Sequence, residues 1–192
     1  MAVAADRVDT RERILRTTLD LIGREGISAV TNRRVATAAG ISLGSLTYHF
    51  ESQGELLREA LLLFIAEEVA VLDAFREDLR RRHPDVVEVA REVERFVGES
   101  DDRGLRLAEL ELHLRAARDP HLQDASARVF RAYEDVAVTA LEMLGVEDAP
   151  RRAHAVVALM YGMALRRFGT GGKDARGMAE ALLTIVGGPA SR

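Results

Sequence analysis

The chain has 192 residues, 47% hydrophobic and 30% charged, with a net charge of −4. This is the balance of a globular protein able to bury a sizeable core, as one domain or as a small one joined to a larger. No apolar run approaches the roughly 18 residues of a membrane span. The start, Met1-Ala-Val-Ala-Ala-Asp-Arg7, lacks the apolar stretch of a signal peptide, and there are 0 cysteines. These features exclude disulfides, thiolate metal sites and cysteine nucleophiles, and they lead us to expect a cytoplasmic protein without a membrane partner.

Ala, Leu, Arg and Glu dominate, and no segment joins β-branched alternation to strand-bounding turns, so the expected fold class is all-α. A first helix is predicted from about Thr10 to Arg24, capped by Asp9 or Thr10 and stopped near Gly26. Ile14, Leu15, Thr18, Leu19 and Ile22 recur along it at three and four. A second, short helix begins at Thr31, whose hydroxyl can cap free N–H groups, and carries Val35, Ala36 and Ala39 on a small apolar face. Gly40 suits a turn with positive φ. Ser42 then caps another short helix, Leu43 to about His49, with Leu46 as its core anchor and Ser45, Thr47, Tyr48 and His49 as polar groups. A helix this short is unstable alone and becomes useful when its neighbours hold it out to enter a DNA major groove.

Ser52, with Glu55 three residues on, has the form of a capping box opening a long connector that runs to about Arg82, before Pro84. Further helices are predicted over 85–98, 101–118, 121–144, 148–168 and 174–186, nine in all. Leu105, Ala108, Leu112 and Ala116 line one side of the 101–118 helix, and Leu107, Leu110 and Leu114 a nearly opposite side. A helix apolar on two sides is expected to be sandwiched in the middle of the larger body. The architecture read from these elements is an N-terminal three-helix helix-turn-helix domain, residues 1–52, joined by the connector to a C-terminal helical bundle domain, residues 53–192.

Charge is unevenly placed. Up to Phe50 there are seven bases (Arg7, Arg11, Arg13, Arg16, Arg24, Arg33 and Arg34) and five acids (Asp6, Asp9, Glu12, Asp20 and Glu25). From Gly26 to Phe50 there is no acid at all. A non-acidic surface on an acidic protein favours one docked orientation on phosphate.

Arg11-Glu-Arg-Ile-Leu15 through Gly26, then Val35-Ala36, Ala39-Gly-Ile-Ser42, Gly44-Ser-Leu46 and His49-Phe50, resemble the TetR family of bacterial transcriptional regulators as one continuous pattern. The resemblance implies a variable helical body that carries an effector pocket and forms a homodimer through its last two helices. It implies phosphate contacts from Thr31, Asn32 and Arg33, where a helix N-terminus welcomes anions. Ser42, Leu43, Gly44, Ser45, Thr47, Tyr48 and His49 are expected to face the groove or its walls, and Ser52 and Gln53 to reach phosphate. Three positions depart from the commoner family pattern. Leu43 and Gln53 stand where lysine is frequent, and Thr47 where tyrosine is. Two lost lysines remove phosphate contacts, while Leu43 and Thr47 can meet thymine methyl groups.

Other patterns in the chain compete with these. Gly40-Ile-Ser-Leu-Gly44 matches the G-x-S-x-G pattern of a hydrolase elbow, but a helical segment precedes it where that motif needs a strand. Gly169-Thr-Gly-Gly-Lys173 lacks the first glycine and the Ser/Thr of a phosphate loop. Glu109 and His113 lie one helical turn apart without the further ligands of a metal site, so no metal or cofactor is expected. Phe96, Glu109, His113, Tyr133, Met143, Met160, Tyr161 and Met163 are candidates to line an effector cavity. Every helix must bury a face, so the same residues also read as plain core. Val156, Val157, Met160 and Ala164, with Leu182, Ile185 and Val186 on the last helix, are candidates for a twofold interface or for core. The expected function is a ligand-responsive, DNA-binding transcriptional repressor, not an enzyme. It acts as a homodimer on a palindromic double-stranded operator. The alternative is a helical ligand-binding or catalytic protein with a vestigial reading head.

Overall fold

The computed structural model describes residues 2–82, 88–89 and 103–171. Among them are seven α-helices, one 3-10 turn and no strand. In chain order these are α1 (Ala2–Glu25), η1 (Ile27–Ala29), α2 (Asn32–Ala38), α3 (Leu43–His49), α4 (Gln53–Arg82), α5 (Arg103–Ala116), α6 (Pro120–Met143) and α7 (Ala149–Thr170). The all-α class is as expected. The helix predicted over 174–186, and that over 85–98 apart from residues 88 and 89, lie outside the described residues.

The first helix is longer than predicted, starting at Ala2 and not near Thr10. No Gly or Pro interrupts residues 2–9, and Asp9 or Thr10 ends a helix only where the chain turns away from the axis. Its predicted stripe is correct: Ile14, Leu15, Thr18, Leu19 and Ile22 are all buried. Thr18 is accommodated there because its hydroxyl donates to the Ile14 carbonyl at 2.8 Å.

Turn chemistry sets the other boundaries. Gly40 adopts φ 68°, the Ile41 N–H donates to the Ala36 carbonyl at 3.0 Å and the Gly40 N–H to Thr37 at 3.2 Å. That pair of bonds is the Schellman closure of a helix, and it ends α2. The same closure ends α6, where Gly145 has φ 68° and Val146 and Gly145 reach back to Leu141 and Glu142 at 3.0 Å. At the start of α4 the Ser52 hydroxyl accepts the Glu55 N–H at 3.1 Å. The Glu55 carboxylate accepts the Glu51 N–H at 2.7 Å, a capping box whose return bond falls one residue early.

Two compact units form. The first is Met1–Glu67 with Asp102–Ser126, and the second is Glu68–Asp101 with Ala127–Arg192. Helices α4 and α6 contribute residues to both. In the first unit α5 packs on α1. The two backbones approach so closely at Gly23 and Gly104 that a Cβ on Gly104 would lie 2.9 Å from the Gly23 carbonyl oxygen. Glu111, two turns further along α5, accepts the Ile27 N–H at 2.7 Å and so caps η1.

This placement corrects the expectation that α5 is sandwiched within the larger body. Ala108, Leu112 and Ala116 are buried, but on the other side Leu107 and Leu110 are only partly covered and Leu114 is 69% exposed. In the second unit Leu141, Ala149 and Ala153 form a small core, against which Ala137, Val138 and Val146 pack. Pro150 lies in the first turn of α7, as predicted.

Candidate nucleic-acid interface

The reading head is built from α1, α2 and α3, with α2 in contact with both of the others. Thr31 caps α2, its hydroxyl accepting the Arg34 N–H at 3.3 Å, and Ser42 caps α3 by accepting the Ser45 N–H at 3.0 Å. Leu46 is the one buried side chain of α3. Its complete burial supplies on the order of 2 kcal/mol, which a seven-residue helix needs to persist. Phe50 closes α3, its N–H donating to Leu46 at 3.0 Å. The Phe50 ring lies under the Arg11 guanidinium at 5.1 Å, and Arg11 in turn pairs with Glu59 at 3.1 Å.

With Leu46 turned inward, much of the rest of α3 lies at the surface. Leu43 and Tyr48 are exposed large side chains, Gly44 and Thr47 are also exposed, and Ser45 and His49 are partly covered. The Thr47 hydroxyl donates within the helix, 3.2 Å from the Leu43 carbonyl and 3.1 Å from that of Gly44. Its proton is therefore committed, and its methyl group is what it offers outward. His49 stacks edgewise on Tyr48, with ring centroids 5.4 Å apart.

Gly44 is informative in another way. A Cβ built there meets nothing nearer than the Ser42 hydroxyl at 3.8 Å, so nothing within the protein requires glycine. Inside a helix, glycine costs up to roughly 0.5–1 kcal/mol relative to alanine.

Thr31, Arg33 and Ser52 are exposed, whereas Asn32 is partly covered, with its Oδ1 buried and lacking a hydrogen-bond partner. Arg33 and Arg34 differ in role. Arg34 is drawn to Glu25 at 2.5 Å, while Arg33 makes no ion pair among the described residues. Gln53 is tied inward, its side-chain amide donating to the Val30 carbonyl. Behind the head, Arg16 bonds Glu12 at 2.8 Å and Glu67 at 2.7 Å. The Glu12 hydrogen bond first, and then Glu67, hold the Arg16 guanidinium above the ordinary arginine value.

The candidate effector residues fall into two groups. Glu109 and His113 belong to the first unit. Glu109 is buried and pairs with Arg106 at 2.9 Å, with His113 Nε2 at 3.9 Å, and His113 Nδ1 meets the Ser126 hydroxyl at 2.7 Å. Tyr133, Met143, Met160, Tyr161 and Met163 belong to the second unit. Tyr133 is buried and its hydroxyl donates to Glu68 at 2.6 Å. Tyr161 lies edge-on to Tyr133, with centroids 5.7 Å apart, and tilted against Phe130 at 4.8 Å. Glu68 and Phe130 escaped the sequence reading, although Phe130 and Tyr133, three apart on one helix, were a visible pair. Phe96 lies outside the described residues.

Of the candidate interface residues, Val156 and Val157 are buried within the chain's own second unit, where Ala137, Leu159, Met160 and Met163 pack on Val156. Met160 and Ala164 are partly exposed, and Leu165, which the sequence reading did not select, is 61% exposed. Leu182, Ile185 and Val186 lie outside the described residues. No described helix is long and apolar enough to cross a membrane.

Such a head, with a capped short helix held out by one leucine and followed by a long connector, defines a helix-turn-helix regulator. Residues 14–60 match the family of bacterial regulatory proteins designated tetR, and residues 84–188 match the tetracyclin repressor-like C-terminal domain. The chain belongs to the TetR family of DNA-binding transcriptional regulators.

It is 28% identical over 171 residues to the nicotine-responsive transcriptional repressor HdnoR of Paenarthrobacter nicotinovorans, covering 84% of each chain. It is 32% identical over 76 residues to the transcriptional regulator YerO of Bacillus subtilis (strain 168). That match spans 40% of this chain and only 26% of YerO. Among solved structures it is similar to the multidrug binding protein EbrR complexed with imidazole, with a TM-score of 0.69 and 29% identity over 94% of this chain and 97% of that one. EbrR has also been solved with proflavin, ethidium and malachite green.

Proposed function

We propose that the chain is a homodimeric repressor whose hold on DNA is released by a small organic effector. The observation that carries this reading is α3. One buried leucine anchors it, Leu43, Gly44, Thr47 and Tyr48 are exposed, and no acid occurs between Gly26 and Phe50. Each subunit lays α3 in one major groove, and the twofold axis places the half-sites about one DNA turn apart, roughly 34–36 Å, or a small multiple of that. Thr31, Arg33 and Ser52 set the register on phosphate, and Leu43 and Thr47 read thymine methyl groups.

Residues 1–52 thus read DNA, and residues 53–192 hold the effector and the partner subunit. HdnoR is named as nicotine-responsive and EbrR as multidrug binding, which favours a small organic effector here. Tyr133, Met160, Tyr161 and Met163 are its proposed lining. On α7, Met160, Ala164 and Leu165 are the proposed contribution to the dimer, since Val156 and Val157 are already covered. An effector needs only to bind better to the subunit geometry that DNA does not accept.

Selection of bound fragments from random DNA tests the reading. It is expected to return a twofold-symmetric site bound in a salt-sensitive manner. Arg33→Ala is expected to weaken binding to all sequences alike and to lower the salt slope by about one. Failure to enrich any sequence overturns the proposal.

A further inference from the structure

An open cleft of about 540 Å³ lies within the first unit, where η1 meets the end of α5 and the start of α6. That volume is in the range of small-molecule sites. Its apolar lining is Ile27, Pro120 and Leu114, the last of them 69% exposed. Its charged lining is Glu111, Arg115, Arg118 and Asp119. Tyr133, Met160, Tyr161 and Met163, the proposed effector lining, belong to the second unit and take no part in it.

The four charges sum to zero, but they differ in what they already hold. The Glu111 carboxylate accepts the Ile27 N–H at 2.7 Å, and the Asp119 carboxylate accepts the His121 N–H at 3.1 Å. Both acids are thus engaged by backbone donors at the starts of η1 and α6. The arginine side chains make no hydrogen bond or ion pair among the described residues. The Nε of Arg115 is buried without a partner, whereas its two Nη groups are not enclosed. A guanidinium packed in at its inner nitrogen presents its outer N–H groups as a fixed fork, the geometry that takes a carboxylate through two parallel bonds.

The cleft therefore sets unanswered cationic donors beside an apolar wall. An inorganic anion leaves that wall in water, and a dianion is repelled by the two carboxylates twice as strongly as a monoanion. A neutral apolar molecule leaves the guanidinium donors unmet. We infer that this cleft is a binding site for a small organic monocarboxylate, with its carboxylate on Arg115 and Arg118 and its hydrocarbon body against Ile27, Leu114 and Pro120. Ile27 belongs to η1, which leads into the Thr31 cap of α2, so an occupant touches the reading head itself. On the competing reading the two arginines are solvated surface groups, and the charge of a ligand is irrelevant.

Calorimetric titration of the full chain with 3-phenylpropionate and with 3-phenylpropanamide separates these readings. The two probes share a hydrocarbon body and differ in charge. The carboxylate is expected to bind at least about tenfold tighter. Arg115→Gln is expected to bring the two within about threefold of each other, and Arg115→Lys, which keeps the charge and loses the fork, to retain only part of the preference. Arg118→Gln supplies a second variant with a reduced preference, and Leu114→Ser is expected to weaken both probes. Tyr161→Ala, in the second unit, is expected to leave both affinities unchanged. Circular dichroism of each variant establishes that it is folded. Equal affinity for the two probes, no binding of the carboxylate, a preference that survives both arginine-to-glutamine variants, or loss of binding in folded Tyr161→Ala overturns the inference. These titrations contain no DNA, so their failure is distinct from failure of the repressor reading, which sequence selection tests.

Discussion

At the scale of single residues, Gly44 and Leu46 divide the work of the recognition helix. Leu46 faces wholly inward, and its replacement leaves α3 without an anchor. Leu46→Ala is expected to cost about 2–5 kcal/mol in urea unfolding, with loss of DNA binding as a consequence. Gly44 predicts the opposite pattern. Space exists for a methyl group, so Gly44→Ala is expected to stabilise the fold by about 0.5–1 kcal/mol. The same methyl group is expected to meet the DNA in the proposed complex and to lower affinity on the order of tenfold, about 1.4 kcal/mol. A raised melting temperature with undiminished binding would count against a close backbone approach at this position. The neighbouring arginines divide similarly: Arg34 is occupied by Glu25, whereas Arg33, the proposed phosphate contact, makes no ion pair among the described residues.

At the scale of elements, the junction of α1 and α5 ties the head to the rest of its unit. Two glycines from distant parts of the chain allow backbone contact, and Glu111 satisfies the Ile27 N–H that opens η1. Gly104→Ala forces a Cβ to within 2.9 Å of the Gly23 carbonyl, which cannot move as a flexible side chain can. The expected cost is about 1–3 kcal/mol, read as a lower urea midpoint at unchanged slope. Glu111→Ala strands the Ile27 N–H and is expected to cost a similar amount, about 1–3 kcal/mol, with partial recovery in Glu111→Gln, which retains an acceptor oxygen. Unaltered unfolding in both alanine variants would show that the junction contributes nothing to stability.

At the scale of the whole molecule, contacts divide the chain differently from its sequence families. The family matches break between positions 60 and 84, whereas the compact units exchange segments, so that α5 joins the head and α4 and α6 run through both units. A net charge of −4 on a protein that holds DNA requires the reading surface to be locally free of acids, which the stretch from Gly26 to Phe50 provides. Sedimentation velocity is expected to give a dimer, and Leu165→Glu, which places a charge on an exposed apolar site of α7, is expected to shift it toward monomer. A chain that sediments as a monomer at all concentrations would sink the twofold model of operator binding.

Much of the head was legible from residues alone because its determinants are local. Caps at Thr31 and Ser42, positive φ at Gly40 and the buried stripe of α1 each depend on groups within a few positions of one another. The start of α1 was misjudged for the converse reason: a good cap residue inside a run of helix formers has no local turn to cap. The environment of α5 was misjudged because apolar periodicity reports two leucine-bearing faces without saying which is covered. Only the folded chain decided that Leu112 is buried and Leu114 exposed, that Gly104 meets Gly23, and that Glu68 faces Tyr133. Residues far apart in sequence are brought together by packing, and the spacing of residues along one helix carries no record of which other helix will lie against it.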